Sequence, residues 1–308
     1  MESLRDIRQN IKAVKSTQQI MQTMKMISSA RIRKAQQAME NARPFARKMW
    51  GMVADLKEEV LAVSQNEPKV ATQEEMSPSW ETRFFTKEQA DPHKIGLVVI
   101  TGDKGLAGSF NAVVLRAAVS FLKAHKEQEV YVFCIGKKGR DFIHRFRQKN
   151  IQIVYSSIGI FPKVSYAHAE LLGEALLKEY QQRNLSSITL IYNDFKSMGS
   201  QQLVQSTLLP LGKMETEEKQ DEVEFLFEPG VKEIFYLLVP RLIKATMYRV
   251  LLESQAANLA ATMNAMDAAS KNAGELVTAL GVKLNKVRQA GITNEILDIV
   301  NGAEALNG

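Results

Sequence analysis

Thr101-Gly-Asp-Lys-Gly-Leu-Ala-Gly108 is the stretch whose residue types come nearest to chemistry. It follows an apolar run and opens an amphipathic one. A glycine-rich turn feeding a helix N-terminus is where phosphate binds in nucleotide sites. The spacing does not complete that reading. Lys104 precedes the closing glycines, no Gly-Lys-Ser/Thr follows, and neither the dinucleotide spacing nor an acidic residue after a second strand is present. The competing reading is structural: Gly105 and Gly108 serve a tight strand-to-helix crossover, with Asp103 or Ser109 capping backbone N–H groups. Other chemistry-bearing residues are dispersed. The four histidines, His93, His125, His144 and His168, lack ligand spacing, and His144 and His168 read as surface groups on helices. Asp194 and Glu170 are lone carboxylates, and Ser109 has no nucleophile elbow around it. Cys134 stands alone in an apolar run, which fits an inert buried thiol in a reducing compartment and excludes a disulfide within the chain. No catalytic residue, cofactor or metal is expected.

Two tracts suit binding better than catalysis. From Ile7 to Met39 there is no acidic residue, against seven basic ones: Arg8, Lys12, Lys15, Lys25, Arg31, Arg33 and Lys34. Such a field suits an acidic protein, nucleic acid or an anionic membrane, but residues 1–44 lack the interleaved aromatics of a single-strand binder. Near the other end, Lys286, Arg288, Gln289, Thr293, Glu295 and Asp298 decorate a helical tract of modest apolar content. They are either a solvated face or a set of reversible polar contacts, with Arg288, Gln289, Thr293 and Glu295 touching something wrapped around the helix.

The elements that carry these tracts are long. A 4,3 stripe runs through Leu4, Ile7, Ile11, Val14, Gln18, Met21, Lys25, Ser28, Ile32, Ala35, Met39 and Ala42. A second runs through Leu252, Ala256, Leu259, Met263, Met266, Ser270, Ala273, Val277, Leu280, Leu284 and Val287. Stripes of that length suit a coiled coil, and one at each terminus predicts a rod made by folding the ends back on each other. Polar seam positions such as Gln18, Lys25, Ser28, Ser270 and Gly274 cost stability and are kept to set register, or belong to a rod that turns inside a sleeve. The division expected is a coiled-coil helix over 1–65, a linker or surface insertion over 66–93, an α/β domain over 94–230 and a second coiled-coil helix over 231–308. Pro44 and Pro240 fall inside the helical tracts and could bend them. In the insertion, Trp80, Phe84 and Phe85 are candidate pins.

Between 94 and 210 the pattern alternates. Strands are predicted at Ile95–Thr101, Val130–Ile135, Ile151–Tyr155 and Ser187–Tyr192. Helices are predicted at Phe110–Lys123, Arg140–Gln148 and Ser165–Tyr180, and Gln202–Leu209 pairs antiparallel with its predecessor. This is a small α/β domain, Rossmann-like, with a mostly parallel sheet. Composition agrees: 308 residues with 45% hydrophobic content can bury a real core, and no apolar run approaches the roughly 20 residues that span a bilayer. The start MESLRDIRQNIKAV has neither a secretory h-region nor the acid-free flank of a transit peptide.

The chain closes on Ile292-Thr-Asn-Glu-Ile-Leu-Asp-Ile-Val-Asn-Gly-Ala-Glu-Ala305. This run resembles the C-terminal signature of the gamma-subunit family of the F-type ATP synthases. Ser3–Val14, Thr17–Ile27 and Arg33-Lys-Ala35 look like its first helix, and Thr101–Asn111 like the segment after its first central strand. The resemblance covers nearly the whole chain. It departs in the longer 66–93 stretch and lacks the paired-cysteine insert of chloroplast members, which points to a bacterial protein. It implies a non-catalytic rotor of the proton-translocating enzyme, peripheral at the cytoplasmic face of the membrane. The implied partners are the alpha and beta subunits of the hexameric ring, the epsilon subunit and the c-subunit ring, with no nucleic acid and no cofactor. Met24 and Lys25, with Arg33 and Lys34, would meet the beta subunits. Arg288, Gln289, Thr293, Glu295 and Asp298 would meet the upper ring, and Phe225, Phe227 and Glu228 the c ring. The family's glycine-rich turn binds no nucleotide.

Overall fold

The computed structural model describes residues 3–66, 83–86, 90–146, 148–161, 163–212 and 230–307. In chain order the elements are α1 (Leu4–Asn66), β1 (Asp91–Ile100), α2 (Phe110–Ala124), β2 (Glu129–Ile135), α3 (Lys137–Ile143), β3 (Ile151–Ser157), α4 (Tyr166–Gln182), β4 (Leu185–Phe195), β5 (Gln201–Leu209) and α5 (Val231–Asn307). Two compact units result, Met1–Ala30 with Thr262–Gly308, and Arg31–Ala261. Each takes one part of α1 and one part of α5. Among the described residues no helix is long and apolar enough to cross a membrane.

In the unit Arg31–Ala261 the short apolar runs build one sheet in the order β3-β2-β1-β4-β5. β1 runs parallel to both β2 and β4, β3 is parallel to β2, and β5 closes the far edge antiparallel to β4. Side chains alternate across a strand, and here both faces are covered, as a parallel sheet requires. Leu97, Val99, Val132 and Cys134 pack against Val114 and Phe121 of α2. Val98, Ile100, Phe133 and Leu190 face the other way, onto Leu172 and Leu176 of α4, Leu56 of α1 and Ile243 of α5. Cys134 is fully buried, and burial pushes its thiol up to about 12, so it has no thiolate to offer at neutral pH.

α1 continues through Pro44. The ring is exposed, while Met39, Ala46 and Met49 on the opposite side are buried. One lost ladder bond is outweighed by that continuous apolar anchor. Phe84 and Phe85 are pinned as the composition suggests. Phe84 packs on Tyr180 and Phe235, Tyr180 Oη donates to the Arg83 carbonyl (2.7 Å), and Leu211 N–H donates to the Phe84 carbonyl (2.6 Å). Trp80 lies outside the described residues.

Two details correct the sequence reading. The helix expected over Arg140–Gln148 is displaced to Lys137–Ile143, because its start is set by partners remote in sequence. Asp103 Oδ1 accepts the Lys137 N–H (3.0 Å), and Thr101 Oγ1 accepts the Gly139 N–H (2.8 Å). Nor is His168 a solvated surface group. The Ser165 N–H donates to its Nδ1 (3.1 Å), closing a capping box at the start of α4.

In the other unit, residues 3–30 of α1 lie antiparallel to the first part of α5 after Thr262. The stripe positions are the shielded ones: Ile7 and Ser28 are buried and Ile11, Val14, Gln18, Met21 and Lys25 half-buried. On α5, Met266, Ser270 and Ala273 are buried and Val277, Leu280, Leu284 and Val287 half-buried. The polar seam residues find one another. Gln18 Nε2 donates to the Ser270 carbonyl (3.2 Å), and a Cβ on Gly274 would stand 3.0 Å from that same nitrogen. A larger residue at Gly274 would displace the amide that fixes the pairing.

Candidate functional site

The glycine-rich turn is tied off internally. Gly102 N–H, the first amide a phosphate would take, donates to Asn111 Oδ1 (2.8 Å), whose Nδ2 donates to the Lys104 carbonyl (3.3 Å). Asp103 is the capping residue and Ser109 is not: Asp103 Oδ1 also accepts the Gly159 N–H (3.0 Å) and Oδ2 the Phe161 N–H (3.3 Å), whereas Ser109 makes no side-chain cap bond. The amide at the carboxyl end of β1 is therefore taken by a carboxamide, and those at the carboxyl ends of β2 and β3 by a carboxylate. Gly108 meets the left-handed requirement (φ 54), but the second such residue is Leu106 (φ 66), not Gly105.

The basic face of α1 is exposed. Arg33 and Lys34 point to solvent, with Ile20, Met26 and Ile27 as exposed apolar neighbours along the helix. Met24 is half-buried. Lys25 is not a free cation, because its Nζ lies 2.6 Å from Asp267 Oδ1 on α5, and Lys271 Nζ lies 3.0 Å from Oδ2. These ammonium groups, Lys25 foremost, hold the Asp267 carboxyl below its ordinary value of 3.8. Lys25 thus carries charge to the surface while bolting one helix to the other.

The candidate residues at the far end of α5 share one property. Arg288, Gln289, Thr293, Glu295 and Asp298 are all exposed, and beyond Gly291 no described residue is covered through Ala303. Thr293 Oγ1 turns back to the Gln289 carbonyl (3.0 Å), leaving the Gln289 side-chain amide outward. Ile292, Ile296, Leu297, Ile299 and Val300 are exposed between them, Ile299 to 71%. An apolar surface bare of its own chain and studded with polar groups is the kind of surface that a protein partner covers. Phe225, Phe227 and Glu228 lie outside the described residues.

Sequence reasoning missed a buried ionic group where α1, α5 and β4 converge. Glu253, its side chain 3% exposed, accepts from Arg249 Nη1 through both oxygens (2.8 and 3.0 Å) and from Tyr192 Oη (3.3 Å), with Arg43 Nε of α1 at 3.8 Å. Burial pushes the Glu253 carboxyl and the Tyr192 phenol upward from their ordinary values. The available signal was an Arg and a Glu four residues apart, flanking the apolar Val250-Leu-Leu252.

Comparison with known proteins gives a consistent picture. A sequence model of the family described as ATP synthase matches residues 3–306. The ATP synthase gamma chain of Elusimicrobium minutum is 54% identical, with 100% of each chain covered, and that of Solibacter usitatus is 38% identical, with 99% of each covered. Among solved structures, a chain of the Euglena gracilis mitochondrial ATP synthase OSCP/F1/c-ring superposes with a TM-score of 0.63 at 17% identity, covering 98% of this chain and 94% of that one. A chain of the Tetrahymena thermophila mitochondrial ATP synthase central stalk/c-ring gives 0.56 at 24% identity, covering 82% and 99%. At those identities the two structures speak to the fold: two long terminal helices and an inserted α/β sheet.

Proposed function

The chain belongs to the ATP synthase gamma-chain family, and from that premise we propose that it is the rotor shaft of an F-type ATP synthase. It is non-catalytic itself and couples proton flow through the membrane sector to ATP synthesis or hydrolysis on the beta subunits. The observation that carries this reading is the end of α5, a helix exposed on every side with apolar and polar residues alternating around it. Such a surface requires a sleeve, and the sleeve of this reading is the ring of alpha and beta subunits.

On that ring, Arg288, Gln289, Thr293, Glu295 and Asp298 form a polar catch. Met24, Lys25, Arg33 and Lys34 meet acidic levers of the beta subunits. Phe225, Phe227 and Glu228 touch the c ring, and the epsilon subunit packs beside the α/β domain. The terminal helices over 1–65 and 231–308 are the shaft, residues 94–230 the foot and 66–93 a surface insertion. The assembly sits peripherally at the cytoplasmic face of the bacterial membrane. The tied-off glycine-rich turn supports a chain that takes no nucleotide.

Gln289→Leu in the assembled complex, followed by single-molecule rotation, tests the catch: leucine keeps helix propensity and removes the amide's donor and acceptor. The expected result is a folded, assembled complex with lengthened dwells and lowered torque. Unaltered dwells and torque would refute the catch. Micromolar binding of ATP or NAD to the isolated chain, with turnover abolished at Lys104, would refute the shaft.

A further inference from the structure

In a doubly wound sheet the ligand crevice opens outside the carboxyl ends of the strands, where the strand order reverses. Here that point lies between β1 and β4, since the chain builds outward through β2 and β3 and then crosses to β4. The crevice is full. Ala256, Ala257, Ala260 and Ala261 of α5 pack there against Ala107, Phe110 and Phe195, with Ile32 and Ala35 of α1 joining the cluster. The Asn258 side chain of α5 reaches the turn itself: a Cβ on Gly102 would stand 3.1 Å from Asn258 Nδ2. Asn193 Nδ2 donates to the Phe110 carbonyl (2.9 Å), fixing the start of α2 to the end of β4. A turn further down α5, Glu253 binds Arg249, Tyr192 and Arg43, so one carboxylate ties α5 to β4 and to α1.

We propose that this switch-point crevice is a permanent seat for α5, and that it transmits torque between the α/β sheet and the helices. The glycine-rich turn Thr101–Ser109 is the collar of the seat, Ala256–Ala261 the surface it grips, and the Glu253 group the pin that stops the helix sliding or turning within it. The crevice has exchanged a diffusible ligand for the protein's own helix. The mechanical half of this inference rests on the shaft reading; the seat does not.

Cysteines at Gly102 and Asn258, in a Cys134→Ser chain assembled into the full complex, test both halves. Oxidation should link the two residues in nearly every chain, and coupled ATP synthesis and rotation should be the same before and after reduction. Failure of the pair to link would refute the seat. Linkage that stops synthesis, with recovery on reduction, would show that α5 must move in the crevice and would also overturn the proposal. Should the double variant not assemble, hydrogen exchange on the unaltered complex decides: the amides of Gly102, Asn111 and Ala256–Ala261 should stay equally protected at rest and during turnover, and faster exchange during turnover would refute rigid seating. A chain that links but enters no rotating complex would sink the shaft reading while the seat stands.

Discussion

Glu253→Ala is the most informative single perturbation of stability. The parent carboxylate neutralises Arg249 at 2.8 Å, receives Tyr192 Oη at 3.3 Å and faces Arg43 at 3.8 Å. Removing one member of a buried ion pair costs about 3–5 kcal/mol when the survivor is sealed from water. Arg249 is 30% exposed and Arg43 40% exposed, so water recovers part of that loss, and the expected cost is about 2–4 kcal/mol. Tyr192→Phe, which deletes one hydrogen bond, should cost about 0.5–1.5 kcal/mol. Glu253→Gln should fall below the alanine variant, because burial already biases the carboxyl toward its neutral form and the amide oxygen still accepts. The pH dependence has a definite sign. With the folded pKa raised, the contribution of this group is fully present below the ordinary value of 4.5 and declines as pH rises through the folded value; Glu253→Gln should flatten that slope. Urea unfolding followed by circular dichroism and by Trp50 emission, in a Trp80→Phe background, reads the unit directly, since Trp50 Nε1 donates to Thr246 Oγ1 on α5 (3.3 Å). A Glu253→Ala midpoint equal to the parent's, or strict additivity with Arg249→Ala, would refute the reasoning.

Gly136→Ala should destabilise by about 2–4 kcal/mol, because φ is +92° and the new Cβ would fall 2.0 Å from the Thr101 carbonyl oxygen; an unchanged melting temperature would contradict this. The Asp267 carboxyl, held low by Lys25 and Lys271, contributes stability that is present above 3.8 and lost as pH falls through its folded value. Hydrogen-exchange protection near Ser270, measured against the intrinsic rate at each pH, should therefore fall on acidification, and Asp267→Asn should remove that pH dependence. Reversing the exposed Arg33 and Lys34 together, with Lys25 left in place to hold Asp267, should lower coupled ATP synthesis in reconstituted vesicles while assembly is preserved. Unchanged coupling would remove those residues from the beta-subunit contact.

Where periodicity was strong, the sequence was sufficient. Over residues 3–30 and 262–287 the stripe residues are all buried or half-buried along the two-helix seam, where apolar periodicity has little competition. The order of strands and helices was legible for the same reason. Boundaries failed where the cause was remote. β1 begins at Asp91 instead of Ile95, since Asp91-Pro-His-Lys94 is largely exposed and carries no apolar signal, its strand geometry coming from pairing beside Leu185. α3 begins where Asp103 and Thr101 cap it, a partnership across more than thirty residues that no local propensity encodes. Of the Glu253 group only the Arg249–Glu253 spacing was legible, for a related reason: Arg43, Tyr192 and Glu253 are scattered in the chain and meet only after the sheet exists.

The pairing of α1 with α5 also has a consequence for synthesis. Lys25 and Asp267 are separated by 242 residues, and Gln18 and Ser270 by 252. At about 5–20 residues per second, the leading helix waits roughly ten to fifty seconds on the ribosome before its mate emerges. An all-leucine stripe left uncovered for that long would be an invitation to aggregate. The Gln, Lys and Ser positions in the seam, together with the acid-free basic face from Ile7 to Met39, keep the waiting helix hydrated and repel its copies on neighbouring ribosomes. The polar seam weakens the finished pair and protects the unfinished one.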